Sequence, residues 1–289
     1  MSSEGTRTVR IFRHGHRRLA LETGGRLLDL SEYLRRNGIR SNLIDLFSEG
    51  WFTKAELDPR LDADKWREVE KLGPPATPVP IARVGKILAL GKNFRAHAEE
   101  FGEEVPSEPL FFNKLPETLV ADGATVRVSP DYGGRVDHEA ELAVLISRNG
   151  SRFAPEAAEG FVAGYTVAND LTARTLQGVD REKKFPWFRA KNMDGFCPLG
   201  PCLVPRDYLD LSDLRITATV NGVVRQDANL KQMVVSVPAA LSYLSHHLTL
   251  RAGDLVLMGT PAGVGGLVDG DECVCAVEGV GVLRTVIRR

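Results

Sequence analysis

The chain has 289 residues, 43% of them hydrophobic and 26% charged, a balance that belongs to a folded globular protein and excludes a disordered or fibrous one. Lys and Arg total 37 against 38 Asp and Glu, for a formal net charge of -1, so no global field draws a nucleic acid or an anionic membrane surface. This length suits a large domain with a small companion. The first residues, MSSEGTRTVRIFRHGHRR, carry charge without a following apolar run of signal-peptide length. No stretch approaches the roughly 20 apolar residues of a membrane helix, and a cytoplasmic location without membrane insertion is expected. Cys197, Cys202, Cys273 and Cys275 form no C-x-x-C pair and have no histidines at zinc spacing, so they read as reduced and mostly buried.

In chain order, residues 7–12 alternate as a strand does, and 18–30 (RLALETGGRLLDL) read as two short strands joined at Gly24-Gly25, a hairpin signal. Helix-like stretches follow in 31–72, with Leu30, Tyr33 and Leu34 at helical spacing. The run GPPATPVP from Gly73 is a boundary signal. It divides the chain into a small β-rich N-terminal domain at 1–72, a linker at 73–83 and a catalytic domain at 84–289. Beyond it, 84–90, 140–146, 161–168, 214–220, 254–258 and 272–278 are strand candidates rich in Val and Ile, while helical patterns are confined to 93–101, 170–178 and 232–247. A regular βαβ repeat does not fit; a strand-dominated α+β fold built round curved sheets does.

Five segments carry residues suited to chemistry. In GKNFRAHAEE, His97 and Glu100 are three apart, a spacing that lets the carboxylate orient the imidazole on one helical turn; on a surface helix such a pair is more often merely solvated. In DHEAELAV, Glu139 and Glu141 are two apart on a strand and so face one way. A hard divalent cation would satisfy them, although on this pattern alone a solvent-facing strand edge is the favoured reading. Asp170 ends the strand GYTVAN and begins a helical stretch, where it reads as an N-cap with Arg174 and Gln177 on the same helical face. Lys191 lies in an aromatic, turn-rich setting, WFRAKNMDGFCPLGP. The loop GTPAGVG from Gly259 lacks phosphate-loop spacing. Its glycines either bring backbone amides close to a carboxylate or serve only a turn.

Together with PLFFNKLPETLV, VNGVVRQ, YLSHHLTLRAGDLVLMGTPAGVG and GDECVCAVEGVGVL, these segments resemble, in this order and from about residue 84 to 287, the fumarylacetoacetate hydrolase family. The resemblance implies a mixed β-sandwich roll, usually a homodimer, with some members carrying a small N-terminal domain like 1–72. It implies that Glu139, Glu141 and Asp170 hold one Mg2+ or Mn2+ per chain, that His97 and Glu100 activate water from a short lid helix, and that Lys191 lies beside the metal. Arg174, Gln177 and Thr260 would line the substrate pocket. Phe94 stands where many relatives have tyrosine and Gly195 where threonine is common, departures that bear on the substrate rather than on catalysis.

The implied reaction is hydrolysis of a C–C bond in a small 2,4-dioxo acid of acylpyruvate type, through an enolate whose charge the metal and Lys191 absorb. The same site could instead decarboxylate oxaloacetate, isomerise a hydroxymuconate-like diacid or act as a lyase on a ureidoglycolate-type substrate. A non-catalytic oxo-acid binder is the reading from a different class. The presence of all three ligands, the His–Glu pair and Lys191 in one chain argues against it.

Overall fold

A computed structural model describes residues 7–14, 18–70 and 84–289. The proline-rich linker expected at 73–83 lies outside the described residues.

Strand β1 (Val9–His14) pairs with β2 (Arg18–Thr23), which turns back into β3 (Arg26–Asp29). The two-residue turn is Gly24-Gly25, at φ 54° and 74°, the left-handed pair that a tight hairpin of the right twist requires. Asp29 then caps α1 (Leu30–Arg36) by accepting from the Glu32 N–H at 2.9 Å. Helix α1 buries Leu30, Tyr33 and Leu34, the face its spacing predicts. Helices α2 (Leu43–Ser48) and α3 (Lys54–Ala63) complete this unit.

The body follows with β4 (Ile87–Gly91), α4 (Arg95–Glu100), β5 (Leu110–Lys114), β6 (Leu119–Val120), β7 (Ala124–Arg127), β8 (Val136–His138) and β9 (Ala140–Ile146). Next come β10 (Val162–Asn169), β11 (Thr172–Ala173), α5 (Arg174–Glu182), α6 (Phe188–Lys191) and β12 (Cys197–Pro205). The chain ends with β13 (Arg215–Val220), β14 (Val223–Asn229), α7 (Val237–His247), β15 (Leu255–Leu257), β16 (Gly265–Leu267), β17 (Glu272–Val277) and β18 (Gly281–Arg288). The fold is strand-dominated α+β, as expected, with the strands in three sheets.

The largest sheet runs β3-β2-β1-β12-β10-β9-β15-β4-β5, with β6 against β12. The N-terminal hairpin therefore extends the sheet of the body, through Ile11 opposite Leu203. Strands β9 and β10 are buried along their whole length, which accounts for their continuous apolar character. A three-stranded sheet, β11-β8-β16, and a five-stranded one, β14-β13-β17-β18-β7, pack around them. The four cysteines are free and buried, and burial pushes the Cys197 and Cys202 thiols up to about 12, which keeps them inert. No helix among the described residues is long and apolar enough to cross a membrane.

Candidate active site

The site grows from the pairing of β9 with β10. Ala168 lies opposite Glu141 and Asn169 opposite Ala140, so the next residue, Asp170, arrives beside Glu139 and donates its backbone N–H to the Glu139 carbonyl at 2.8 Å. Glu139 sits in the break between β8 and β9, and its own N–H is taken by Asn169 Oδ1 at 3.0 Å. The side chains of Glu139, Glu141 and Asp170 are all buried and bring one oxygen each within 4.8 Å of one another.

The structure corrects the reading of Asp170 as a helix cap sharing a helical face with Arg174 and Gln177. The chain stays extended through β11, where Thr172 pairs with Asp137 and Ala173 with Val136, and α5 begins only at Arg174. Asp170 is held by the sheet, and the Thr172 hydroxyl donates to its carbonyl at 2.9 Å.

Two buried ammonium groups face the acids. Lys191, at the end of α6, places Nζ 2.7 Å from Glu139 Oε2 and 2.6 Å from Asp170 Oδ2. Lys114 Nζ forms an ion pair with Asp170 Oδ1 at 2.7 Å and donates to the Lys191 carbonyl. Lys114 was missed in the sequence. It shares a strand face with Phe112, which lines the cavity, and that two-residue spacing was the available signal.

Charge is distributed unevenly over the three acids. Burial pushes Glu139 up, but Lys191 and Arg174 outweigh it and hold the carboxyl below the ordinary range. Burial drives Glu141 well above its usual value, and the neighbouring charges of Asp170 and Glu139 add to that push; the Gly259 N–H, donating to Glu141 Oε2 at 2.7 Å, opposes it. A buried set of three carboxylates with oxygens within 4.8 Å of one another, one of them forced toward its neutral form, fits a divalent cation of the magnesium or manganese kind.

His97 and Thr260 line the same cavity, of about 190 Å³, as the three acids, Lys191, Arg174 and Gln177. His97, on α4, lies with Nδ1 3.3 Å from Glu100 Oε2, and Phe101 meets the imidazole edge-on at 5.2 Å between centroids. Glu100 in turn accepts from the Gly263 N–H at 3.1 and 3.2 Å. The glycine loop therefore brings amides to carboxylates at both Gly259 and Gly263. At Gly263, φ is 96° and a Cβ would meet the Arg225 carbonyl oxygen at 2.0 Å, so only glycine fits.

Arg174 is occupied on three sides: Nε donates to Asp137 at 2.7 Å, Nη1 to Gln177 Oε1 at 2.6 Å, and Nη2 to Glu139. Thr260 accepts from Gln226 Nε2 at 2.7 Å. Gln226 is a second residue that motif reading passed over, because its partners come from two distant segments, 138–140 and 260–261. Gly195, at φ 76°, occupies a conformation in which threonine would be strained.

A strand-built body that gathers three buried carboxylates, a lysine and a His–Glu pair round one small cavity suits a class of enzymes that work with a divalent cation. The chain belongs to the fumarylacetoacetate hydrolase family: residues 86–288 match the family model described as fumarylacetoacetate (FAA) hydrolase C-terminal. The oxaloacetate decarboxylase, mitochondrial, of Dictyostelium discoideum is 37% identical over 196 residues, 68% of this chain and 89% of that protein. Oxaloacetate tautomerase YisK of Bacillus subtilis is 38% identical over 219 residues, 72% of this chain and 71% of that protein. The solved fumarylacetoacetate hydrolase from Exiguobacterium antarcticum superposes with a TM-score of 0.81 at 30% identity, covering 97% of this chain and 99% of its own. The fumarylpyruvate hydrolase of Pseudomonas aeruginosa, solved with Mn2+ and pyruvate, has a TM-score of 0.68 and 34% identity over 76% of this chain and 99% of its own.

Proposed function

We propose that the protein moves a proton at the carbon beside the keto group of a small 2-oxo diacid of the oxaloacetate class, with Glu139, Glu141 and Asp170 holding one divalent cation. The observation that carries this reading is that His97, backed by Glu100, opens onto the same small cavity as the three acids. A cation held there would act as a Lewis acid on the keto oxygen of the substrate.

His97 supplies the base. With Nδ1–H donated to Glu100, Nε2 would be the unprotonated nitrogen, and the Glu100 carboxylate would stabilise the ring once it takes the proton. Gly263 fixes Glu100, so the pair is oriented before substrate enters. The Lys191 ammonium, beside Glu139 and Asp170, offsets the negative charge that develops on the substrate oxygen.

The likeness to an oxaloacetate tautomerase and an oxaloacetate decarboxylase favours keto–enol conversion of a four-carbon diacid, or loss of its terminal carboxylate through the same enolate. Hydrolysis of an acylpyruvate is the second reading, favoured by the fumarylpyruvate hydrolase likeness. There His97 would take its proton from water, which attacks the distal carbonyl. We infer a homodimer from the family likeness. Residues 1–72 are proposed as a small accessory unit attached to the catalytic body through β1.

The test follows enol loss and CO2 release from oxaloacetate, and cleavage of acylpyruvates, with Mn2+ and then with chelator. Wild-type turnover should require the cation. His97→Ala should lose about 10²–10⁴-fold in rate while binding Mn2+ normally. Undiminished turnover in that variant would remove His97 as the base, and cleavage of acylpyruvates without action on oxaloacetate would select the second reading.

A further inference from the structure

We propose that Lys92 and Arg181 form a subsite for the second carboxylate of a 2-oxo dicarboxylic acid, with Glu103 as the bridge that holds both cations in place. This rests on the proposed function and names what gives the same site its preference for diacids over monoacids.

All three residues line the cavity that contains Glu139, Glu141 and Asp170. Lys92 Nζ lies 2.5 Å from Glu103 Oε2, and Arg181 Nη1 contacts Glu103 Oε1. One carboxylate is thus shared between two cations, and the group carries a surplus positive charge. The other cations of the cavity wall are matched: Arg174 is divided between Asp137 and Glu139, and Lys191 between Glu139 and Asp170. An incoming carboxylate can therefore join Lys92 and Arg181 without expelling Glu103. An ammonium with three donors and a guanidinium with five are not exhausted by one acid.

The place of Lys92 is built into the backbone. Its φ is 58°, an uncommon left-handed conformation for a residue with a side chain, which persists only where the surroundings impose it. Here they do. A Cβ on the preceding Gly91 would come within 3.1 Å of Trp187. The following Asn93 is tied by its side chain to Val235 and Met258 through bonds of 2.8 to 3.0 Å. The Lys92 and Glu103 side chains are 22% and 23% exposed, against 56% for Arg181, so solvent screens Lys92 less and it should contribute more.

The experiment titrates the Mn2+-loaded protein calorimetrically with 2-oxoglutarate, a stable 2-oxo diacid, and with pyruvate, which lacks the second carboxylate. Wild type should prefer the diacid. Lys92→Met should weaken diacid binding about tenfold and Arg181→Met about threefold, with pyruvate and Mn2+ affinities unchanged in both. An unchanged preference in both variants, a wild type without preference, or equal losses for the two acids would overturn the subsite. A wild type that binds pyruvate but not the diacid would overturn the subsite and leave the 2-oxo acid site standing. Binding of neither acid would overturn both.

Discussion

Lys191 Nζ lies 2.7 Å from Glu139 Oε2, so the protein supplies its own cation to a carboxylate proposed as a ligand of the metal. The same ammonium reaches Asp170 at 2.6 Å. Burial disfavours the charge on Lys191, but Asp170 and Glu139 more than compensate, and its pKa is raised. In the absence of a divalent ion this contact holds together a group of acids that would otherwise repel one another. An ion held there would share those acids with the lysine.

That sharing predicts opposite effects of Lys191→Met on two quantities. Without metal, the variant leaves buried Glu139 and Asp170 short of a partner, a loss worth about 3–5 kcal/mol, and its melting temperature should drop by several degrees or more. Saturating Mn2+ should then raise the melting temperature of the variant by more than it raises that of wild type, because the ion replaces a missing charge. A smaller rise in the variant would show that Lys191 supports ion binding rather than competing with it. Turnover should fall in either event.

Glu141 gives a pH prediction with a definite sign. Burial raises its pKa in the folded, ion-free protein well above the ordinary 4.5, so folded Glu141 keeps a proton that the unfolded chain has already released. Between 4.5 and the raised value the folded state binds more protons, and the stability due to this group falls as pH climbs. Glu139, held low, acts oppositely: its contribution is present above 4.5 and is lost as pH falls below it. Comparing wild type with Glu141→Gln in urea unfolding isolates the first effect, since the variant has no proton to lose there. The wild type should lose stability relative to the variant with rising pH, and saturating Mn2+ should abolish that relative loss because ligation requires the ionised form. Parallel curves for the two proteins without metal would show that Glu141 does not titrate in this range.

How much of this was legible in the sequence depended on the range of the contacts. Gly24-Gly25 announced its hairpin and Leu30, Tyr33 and Leu34 their helical face, because both are decided within a few residues. Glu139 and Glu141 were readable as a pair facing one way from their spacing alone. Asp170 was not readable as their neighbour from its surroundings, because the register of β9 against β10 places it there, and the local pattern instead suggested a helix cap. Lys114 carries no local sign of burial; Asp170 and the Lys191 carbonyl, both distant in sequence, make that burial tolerable. The attachment of the N-terminal hairpin to β12 left no local trace at either Ile11 or Leu203.

Glu100 is positioned to act through His97 rather than on the substrate. Its carboxylate accepts from the imidazole Nδ1 at 3.3 Å and from the Gly263 N–H at 3.1 Å. Glu100→Gln keeps the size and a possible acceptor oxygen but removes the charge that stabilises the protonated ring. The rate should fall about 10–100-fold through kcat, with KM close to the wild-type value, because the lost charge acts on the base and not on substrate binding. Mn2+ affinity should stay at the wild-type value. A variant that loses thermal stability while kcat stays unaltered would show that Glu100 merely holds the helix.

Gln226 couples the acids to the glycine loop, and its loss should be felt at both. Its Oε1 accepts from the Ala140 N–H at 3.0 Å and faces His138 Nδ1 at 3.1 Å, on either side of Glu139. Its Nε2 donates to Thr260 Oγ1 and to the Pro261 carbonyl, each at 2.7 Å. The side chain is fully buried, so water does not take over these bonds if it is replaced. Gln226→Leu, close in volume, would leave several polar groups unpaired, at a cost of about 3 kcal/mol in urea unfolding. Because the bond to Ala140 sets the backbone that carries Glu139, Mn2+ affinity should fall roughly tenfold, in the range seen when a support behind a metal ligand is lost. Loss of stability with unaltered Mn2+ affinity would confine Gln226 to packing and break the link argued here between the loop and the acids.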